Sequence, residues 1–254
     1  MKPFNQYNRL FTFGCSTTNY GWPTWADILS TEIPKFYNYG KSGAGNLFIS
    51  NSVVEANIKH KFDENDLVMI MWSSVSREDR YKNGWITVGN VYTQNTIDMD
   101  FVNEWANLRG YLIRDLALVE LTKQYLKNLP CDSDMLAMCK FHHQIFVHDQ
   151  KLNENRDVLE YYKETIASVK PDIFDQVYKG VWPTNPIKGR KGSGQTVDRH
   201  PTPIGYYEYL ELLYPDLVTK AMKMYAEKYD ELVKNVSHID ETQEFWSANS
   251  ISRL

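Results

Sequence analysis

The feature that most constrains this sequence is a continuous apolar run, Leu67–Trp72 (LVMIMW), which directly follows the polar stretch DEND. A run of this kind predicts a parallel strand that is buried on both faces. Other β-rich runs occur at Arg9–Phe13, Phe36–Tyr39 and Met135–Phe141, and segments with helical spacing separate them. This alternation of strands and helices predicts an α/β fold, with a mostly parallel sheet and helices on both of its faces.

The apolar spacing predicts where the helices lie along the chain. They are expected at Trp22–Ile33, Leu47–Lys59, Phe101–Leu129, Asn153–Val169, Pro203–Tyr214 and Asp216–Val233. The stretch Gly180–Gly194 contains two prolines and four of the 13 glycines, which predicts a long loop of the kind that is often functional. The tail from Asn235 is polar, and we expect it to fray. Since there is no internal repeat or low-complexity tract, residues 1–254 are predicted to form a single domain.

Composition excludes several classes of function. The net charge of −4 and the pI of about 5.9 provide no basic surface for nucleic acid. The N-terminal residues have no secretory apolar run, and no window approaches the roughly 18 apolar residues of a membrane span. Three cysteines, Cys15, Cys131 and Cys139, do not make a disulfide framework. We therefore expect a cytoplasmic protein without membrane or nucleic-acid partners, although a virion component released by lysis would have the same composition.

Ligands of such sheets bind beyond the carboxyl ends of the strands, so the loops there are the first places to search. The first loop, GCSTT at residues 14–18, places Ser16 at the sheet edge and near the start of a helix. Backbone N–H groups at that position can stabilise an oxyanion. The alternative is that Ser16 or Thr18 only caps the helix.

The second loop, residues 38–46, carries three glycines within six residues, which permits close approach of its backbone to a ligand. Residues 40–42 (GKS) resemble the end of a phosphate-binding P-loop, but Lys35 stands where that motif requires glycine. Residues 40–44 (GKSGA) nearly match the nucleophile elbow G-x-S-x-G, with Ala44 at the last position. Neither motif decides the function by itself.

The remaining candidates follow the strand at Leu67–Trp72 and precede the helix at Pro203–Tyr214. Residues 73–80 (SSVSREDR) offer hydroxyls and a guanidinium for an anion, or else form a solvated helix start. His200 directly precedes a proline, which favours an extended backbone at the histidine. Asp198, two residues earlier, can orient the imidazole or stabilise its cation.

Taken together, these motifs resemble the SGNH (GDSL-like) hydrolase superfamily, and the resemblance extends over about residues 10–214. Its first block, G-D-S-x-T, matches residues 14–18 except at Cys15, and the G-C-S variant is similar to bacterial and phage members. The second block, N-x-G-x-x-G, matches at Asn38, Gly40 and Gly43, so Gly43 inherits an oxyanion-hole role. The resemblance implies a three-layer, flavodoxin-like α/β fold with a mostly parallel five-stranded sheet.

The last block of the superfamily, Asp and His before a terminal helix, resembles Asp198 and His200. Two departures accompany this match. The third block, G-x-N-D, reads WSS at residues 72–74 and has no asparagine, so Ser74 or Arg77 would have to substitute as the oxyanion donor. The last block is commonly D-x-x-H, whereas this chain has D-x-H.

The resemblance implies a serine esterase with Ser16 as nucleophile, His200 as base, Asp198 as its partner, and Ser16, Gly43 and Ser74 at the oxyanion hole. No cofactor or metal is required, and we interpret His142, His143 and His148 as structural or solvated. A small acyl group on a carbohydrate is the favoured substrate, with Arg77 and the aromatic residues Trp22, Trp72, Trp85 and Trp182 available for binding. Three alternatives are an inactive carbohydrate-binding or virion protein, an acyltransferase using the same serine, and a nucleotide-binding protein suggested by residues 40–42 alone.

Overall fold

A four-stranded parallel sheet forms the centre of the protein in the computed structural model, which describes residues 1–92, 97–142, 152–185 and 197–242. The strands of the chain are β1 (Arg9–Phe13), β2 (Lys35–Asn38), β3 (Asp66–Trp72), β4 (Arg77–Tyr81), β5 (Trp85–Asn90) and β6 (Asp132–Ala137). The sheet has the order β2-β1-β3-β6, and β4 and β5 form a separate antiparallel hairpin. The α/β class and the parallel sheet are confirmed, but the main sheet has four strands within the described residues rather than the expected five.

The helices fill the connections between the strands. They are α1 (Trp25–Leu29), α2 (Asn46–His60), α3 (Met99–Trp105), α4 (Leu108–Lys127), α5 (Leu152–Tyr161), α6 (Lys163–Ala167), α7 (Ile173–Gln176), α8 (Pro203–Leu213) and α9 (Lys220–Lys234). Helix α2 packs on α4, whereas α1 packs on α8 and α9. The chain moves outward from β1 to β2 and back from β2 to β3, so right-handed crossovers place α1 and α2 on opposite faces of the sheet.

Four of the expected helices are shorter or divided. The helix expected at Asn153–Val169 is split into α5 and α6, and the one expected at Asp216–Val233 begins only at Lys220. The helix expected at Trp22–Ile33 begins only at Trp25, because Thr24 and Asp27 form a reciprocal capping box at that point. The helix expected at Phe101–Leu129 is split into α3 and α4, because Asn107 is extended and its side chain accepts a hydrogen bond from the Gly110 N–H at 3.0 Å.

Residues 73–80 do not begin a helix, so that alternative was wrong. Strand β4 starts at Arg77 and turns back into β5 through Asn83 and Gly84, both of which have positive φ. An Asn-Gly pair between two strands is a strong hairpin signal, and it was present in the sequence. Within the described ranges, every helix is too short or too polar to span a lipid bilayer.

Candidate active site

The strand order reverses between β1 and β3, which makes the carboxyl edge of these two strands a topological switch point. From β1 the chain proceeds to β2 on one side, and from β3 it proceeds towards β6 on the other. A crevice opens where the connections of neighbouring strands leave in opposite directions. The loops that follow β1 and β3 border this crevice, and the first of them carries Ser16.

Ser16 and His200 are in hydrogen-bond contact although they lie far apart in the sequence. The Ser16 Oγ is 2.9 Å from His200 Nε2, and the Asp198 Oδ1 is 3.0 Å from His200 Nδ1. The Ser16 residue is 9% exposed, and the His200 side chain is 25% exposed. A hydroxyl, an imidazole and a carboxylate in this order form the arrangement that activates a serine nucleophile.

The short D-x-H spacing brings the backbone as well as the ring of His200 to one carboxylate oxygen. Asp198 Oδ1 accepts from the His200 backbone N–H at 2.7 Å in addition to facing the ring. Asn185 supports the same segment: it exchanges two backbone hydrogen bonds with Asp198, and its side-chain amide donates to the His200 carbonyl at 2.7 Å. The 198–200 segment is therefore fixed from two sides.

Asp198 has no exposed surface. Burial raises the pKa of its carboxyl group, but the hydrogen bonds from His200 and Tyr20 lower it by more, so the net pKa lies below the ordinary value. The carboxylate is therefore ionised at neutral pH. This is the state that can orient an imidazole through its Nδ1–H and stabilise an imidazolium.

Two aromatic residues of the loop after β1 complete this cluster, and the sequence analysis assigned no catalytic role to either. The Tyr20 hydroxyl donates to Asp198 Oδ2, and the Tyr20 ring stacks on His200 with a centroid distance of 3.7 Å. The Trp22 ring packs edge-on against Tyr20, and its indole N–H donates to the Pro201 carbonyl at 2.8 Å. No local motif in the sequence distinguishes these residues, because their roles depend on a segment near the other end of the chain.

The loop that carries Ser16 is closely packed beneath the hydroxyl. A Cβ atom on Gly14 would lie 2.0 Å from Thr18 Oγ1, so only glycine fits at that position. Cys15, which replaces the aspartate of the superfamily block, is fully buried with its Sγ 3.8 Å from the Met138 Sδ. Within the described residues the backbone N–H of Ser16 has no acceptor, which leaves it available to a ligand.

The second loop, residues 39–45, is attached to the hairpin. Gly43 has φ +75°, and its carbonyl accepts from the Gly89 N–H at 2.9 Å. The buried Asp79 accepts from the N–H groups of Gly45 at 2.8 Å and Phe48 at 2.9 Å, which caps the start of α2. Within the described ranges, the Gly43 N–H has no acceptor either. The hairpin thus fixes the backbone from which the superfamily would take an oxyanion donor.

The third loop has Ser74 where an asparagine was missing. Ser74 is buried, and its Oγ accepts from Arg77 Nε at 3.2 Å, so its own hydroxyl hydrogen is free to donate elsewhere. Arg77 also donates to the Ala44 carbonyl at 3.1 Å and contacts the Met138 sulfur at 3.8 Å. Cys15 contacts the same sulfur, so Arg77 connects the second loop to Met138, and Met138 in turn contacts the first loop.

A buried polar network behind the third loop was not anticipated. Asn46 accepts from the Ser73 N–H at 2.9 Å and donates to the Asp115 carboxylate at 3.0 Å. Arg114 Nε also donates to Asp115, at 2.7 Å. Burial raises the pKa of Asp115 to about 6, although Arg114 and Asn46 lower it. The sequence signal was an aspartate on the apolar face of a predicted helix.

The predicted substrate-binding residues lie in different surroundings. Trp72 is fully buried in β3 and presents no ring surface to a ligand, so its assignment was wrong. Trp182 is half-buried and packs on Phe174 at a centroid distance of 4.5 Å. It lies three residues before Asn185, which contacts His200. Residues 186–194 of the predicted loop lie outside the described residues.

The histidines and cysteines in the described part of the chain do not gather into a cluster. No group of three His, Cys, Asp or Glu side chains there is arranged to hold a metal ion. Burial raises the pKa of the Cys139 thiol to about 12 and that of Cys131 to about 11, so both remain protonated. His143 and His148 lie outside the described residues.

Comparisons with known proteins provide little that bears on this site. No protein-family model matches the sequence, and no curated protein is significantly similar to it. Among solved structures, the chain is similar to a member of the lipolytic protein G-D-S-L family from Veillonella parvula DSM 2008, with a TM-score of 0.40 and 14% sequence identity. The likeness covers 87% of this chain and 96% of that chain.

Proposed function

We propose that the protein is a serine esterase of the SGNH type, with Ser16 as the nucleophile and His200 as its general base. The observation that carries the proposal is the continuous contact from Ser16 Oγ to His200 Nε2 at 2.9 Å and from His200 Nδ1 to Asp198 at 3.0 Å. The motif order along the sequence agrees with it, because all three residues fall in the blocks where the superfamily has them.

In the proposed reaction, His200 Nε2 takes the proton from Ser16 as the Oγ attacks the ester carbonyl. The imidazolium then donates this proton to the departing alcohol, which leaves an acyl-serine. Water enters, His200 removes one of its protons, and hydrolysis of the acyl-serine releases the acid and restores the hydroxyl. Asp198 remains ionised throughout and keeps the Nδ1–H of His200 directed towards itself. Side chains and backbone N–H groups perform every step.

The negative oxygen of the intermediate needs donors, and we assign the N–H groups of Ser16 and Gly43 and the hydroxyl of Ser74 to this role. The unoccupied N–H groups and the unused hydroxyl hydrogen of Ser74 support the assignment. Loss of one donor typically costs about 10² to 10³ in rate. Arg77 donates to the Ser74 Oγ, so it supports the third donor. We also assign it the binding of a polar part of the substrate.

We propose a short acyl ester as the substrate, with an O-acetylated carbohydrate as the form to test. The low exposure of Ser16, at 9%, supports a small acyl group. Trp182 and Trp85 are half-buried and offer partly exposed rings for a sugar to stack on. Trp182 is the better candidate because its segment contacts His200 through Asn185.

The test is reaction with a fluorophosphonate probe, followed by intact mass and peptide mapping. We expect one adduct at Ser16 in the wild type, no adduct in Ser16→Ala, and a large fall in labelling rate in His200→Ala. The matched control is His60→Ala, which removes another partly buried histidine, whose ring has Tyr39 as its only described hydrogen-bond partner. The control should label like the wild type. A folded wild type that is not labelled would overturn the esterase and favour a binding protein that does not turn over.

A second experiment addresses the substrate. Acetate release from an acetylated xylo-oligosaccharide is compared with hydrolysis of p-nitrophenyl acetate in the wild type and in Trp182→Ala. Loss of ring stacking should lower kcat/KM for the oligosaccharide by about fivefold and leave the small ester unaffected, since a stacked pair contributes about 1 kcal/mol. Equal changes for both substrates would contradict a sugar-binding role for Trp182.

A further inference from the structure

We propose that Tyr20 is a positioning residue that fixes the Asp198–His200 pair in the one arrangement from which His200 can accept the Ser16 proton. This inference rests on the proposed function. Tyr20 lies outside the sequence blocks in which this chain resembles the superfamily. Its two contacts, one to each member of the pair, carry the argument.

The first contact satisfies the second oxygen of a buried carboxylate. Asp198 Oδ1 is occupied by the backbone N–H and ring of His200, whereas Oδ2 accepts from the Tyr20 hydroxyl. Asp198 is 0% exposed, so without Tyr20 the Oδ2 atom would be left with an unmet hydrogen-bonding capacity. The carboxylate would then gain by rotating towards another donor, and rotation takes Oδ1 away from the imidazole Nδ1.

The second contact restrains the imidazole directly. The Tyr20 and His200 rings stack with centroids 3.7 Å apart and an interplanar angle of 23°. A ring over one face prevents the imidazole from tilting out of the line that joins Asp198 to Ser16. The Trp22 ring, edge-on at 4.7 Å from Tyr20, supports the stack from the side. The two contacts act on different degrees of freedom, carboxylate rotation and imidazole tilt.

This arrangement explains how a D-x-H spacing can serve where D-x-x-H is usual. With one residue between them, Asp198 meets both the backbone and the ring of His200 through a single oxygen. The other oxygen is then left without a partner from its own segment, and Tyr20 provides one. Tyr20 lies four residues after Ser16, so one loop carries both the nucleophile and the residue that positions its base.

The consequence for the site is a defined tautomer of His200. A neutral imidazole that donates from Nδ1 to Asp198 leaves Nε2 as an acceptor for the Ser16 proton. The other tautomer would present an N–H to Ser16 and could not act as its base. We infer that Tyr20 selects the productive tautomer by keeping Asp198 Oδ1 opposite Nδ1.

The test uses two variants of the full chain and one matched control. Tyr20→Phe keeps the stacked ring and removes the hydroxyl, whereas Tyr20→Leu removes both contacts. The control Tyr214→Phe deletes a hydroxyl that also donates to an aspartate, Asp134 Oδ2 at 2.9 Å, but on the first half of β6 and away from the carboxyl edge of the sheet. Each variant is first compared with the wild type by circular dichroism and thermal unfolding.

Two readouts are recorded: the second-order rate of Ser16 labelling by a fluorophosphonate, and the His200 tautomer from long-range ¹H–¹⁵N NMR spectra of histidine-labelled protein. We expect the labelling rate to fall by about tenfold in Tyr20→Phe, because a hydrogen bond to a charged group is lost. It should fall by about threefold to tenfold further in Tyr20→Leu, which also loses the stack. The His200 signal should change from the Nδ1–H tautomer to a mixture in both, and Tyr214→Phe should match the wild type in rate and tautomer.

The two readouts separate this inference from the proposed function. If the folded wild type is not labelled, the esterase fails, and the tautomer alone then tests the positioning role. A tautomer that is the same in the wild type and Tyr20→Phe would overturn the role of Tyr20, whether or not Ser16 reacts. A stable Tyr20→Phe protein that labels at the wild-type rate would overturn it equally, while leaving the esterase intact.

Discussion

Substitution of Gly43 by alanine tests whether the second loop must stay against the hairpin. Gly43 has φ +75°, and a Cβ atom there would lie 2.7 Å from the Thr87 carbonyl oxygen and 3.2 Å from the Gly89 nitrogen. Alanine in this backbone region costs about 1–2 kcal/mol. Overpacking against a backbone oxygen, which cannot rotate away, costs about 1–3 kcal/mol more. We therefore expect Gly43→Ala to lower the free energy of unfolding by about 3 kcal/mol.

The matched control is Gly180→Ala, because Gly180 has a similar φ of +83° but only one atom near its Cβ position, Asp175 Oδ1 at 4.0 Å. It carries the backbone strain without the clash and should cost about 1–2 kcal/mol. The free energy of unfolding of both variants is measured by urea titration. The rate at which a fluorophosphonate labels Ser16 is measured on the same samples.

The labelling rate separates stability from catalysis in these two variants. If the clash pushes the second loop away from the hairpin, the Gly43 N–H leaves its place in the proposed oxyanion hole. The rate should then fall by about 10²-fold in Gly43→Ala and stay unchanged in Gly180→Ala. Equal losses of stability in the two variants would refute the contact argument. A destabilised Gly43→Ala that still labels at the wild-type rate would remove Gly43 from the oxyanion hole.

Two further predictions concern the network behind the third loop. Burial holds the pKa of Asp115 at about 6 against an ordinary 3.8, so the folded state binds this proton more tightly than the unfolded state. The free energy of unfolding should therefore gain about 1 kcal/mol from Asp115 as the pH falls from about 7 to about 5, and urea titrations of Asp115→Asn should lack this gain. Asn46→Ala should cost about 3 kcal/mol in urea unfolding, because it leaves the Ser73 N–H and the Oδ2 atom of Asp115 without hydrogen-bond partners. Asn51→Ala on the same helix serves as the control, and an equal loss there would contradict the reasoning.

The parallel sheet could be predicted from the sequence because its central strands are apolar on both faces. Strand β1 has the predicted bounds, and β3 differs from its prediction by one residue. Strand β6 begins three residues before the predicted Met135, because its polar start at residues 132–134 pairs through the backbone with β3. Polar residues that pair only through their backbone leave no apolar pattern, so the start of β6 could not be located from the sequence.

The hairpin β4–β5 could not be predicted from apolar periodicity, because most side chains of β4 are charged. The residues of β4 read REDRY, and their partners come from other elements: the buried Asp79 caps α2, and the partly buried Glu78 accepts from the Tyr111 hydroxyl. The motif order nominated Ser16, His200 and Asp198, and the structure brings these three together. Tyr20 and Asn185 escaped notice, because a side chain that supports a distant segment has no neighbours in the sequence that reveal it.

Three contacts of the site join residues that are far apart in the sequence. Ser16 and His200 are separated by 184 positions, Tyr20 and Asp198 by 178, and Trp22 and Pro201 by 179. During synthesis Ser16 is made long before His200. Under the proposed function, a nascent or truncated chain that ends before residue 198 lacks both the base and its partner, so its Ser16 hydroxyl does not react with a fluorophosphonate. Labelling then counts the chains that extend past residue 200 rather than all chains that contain Ser16.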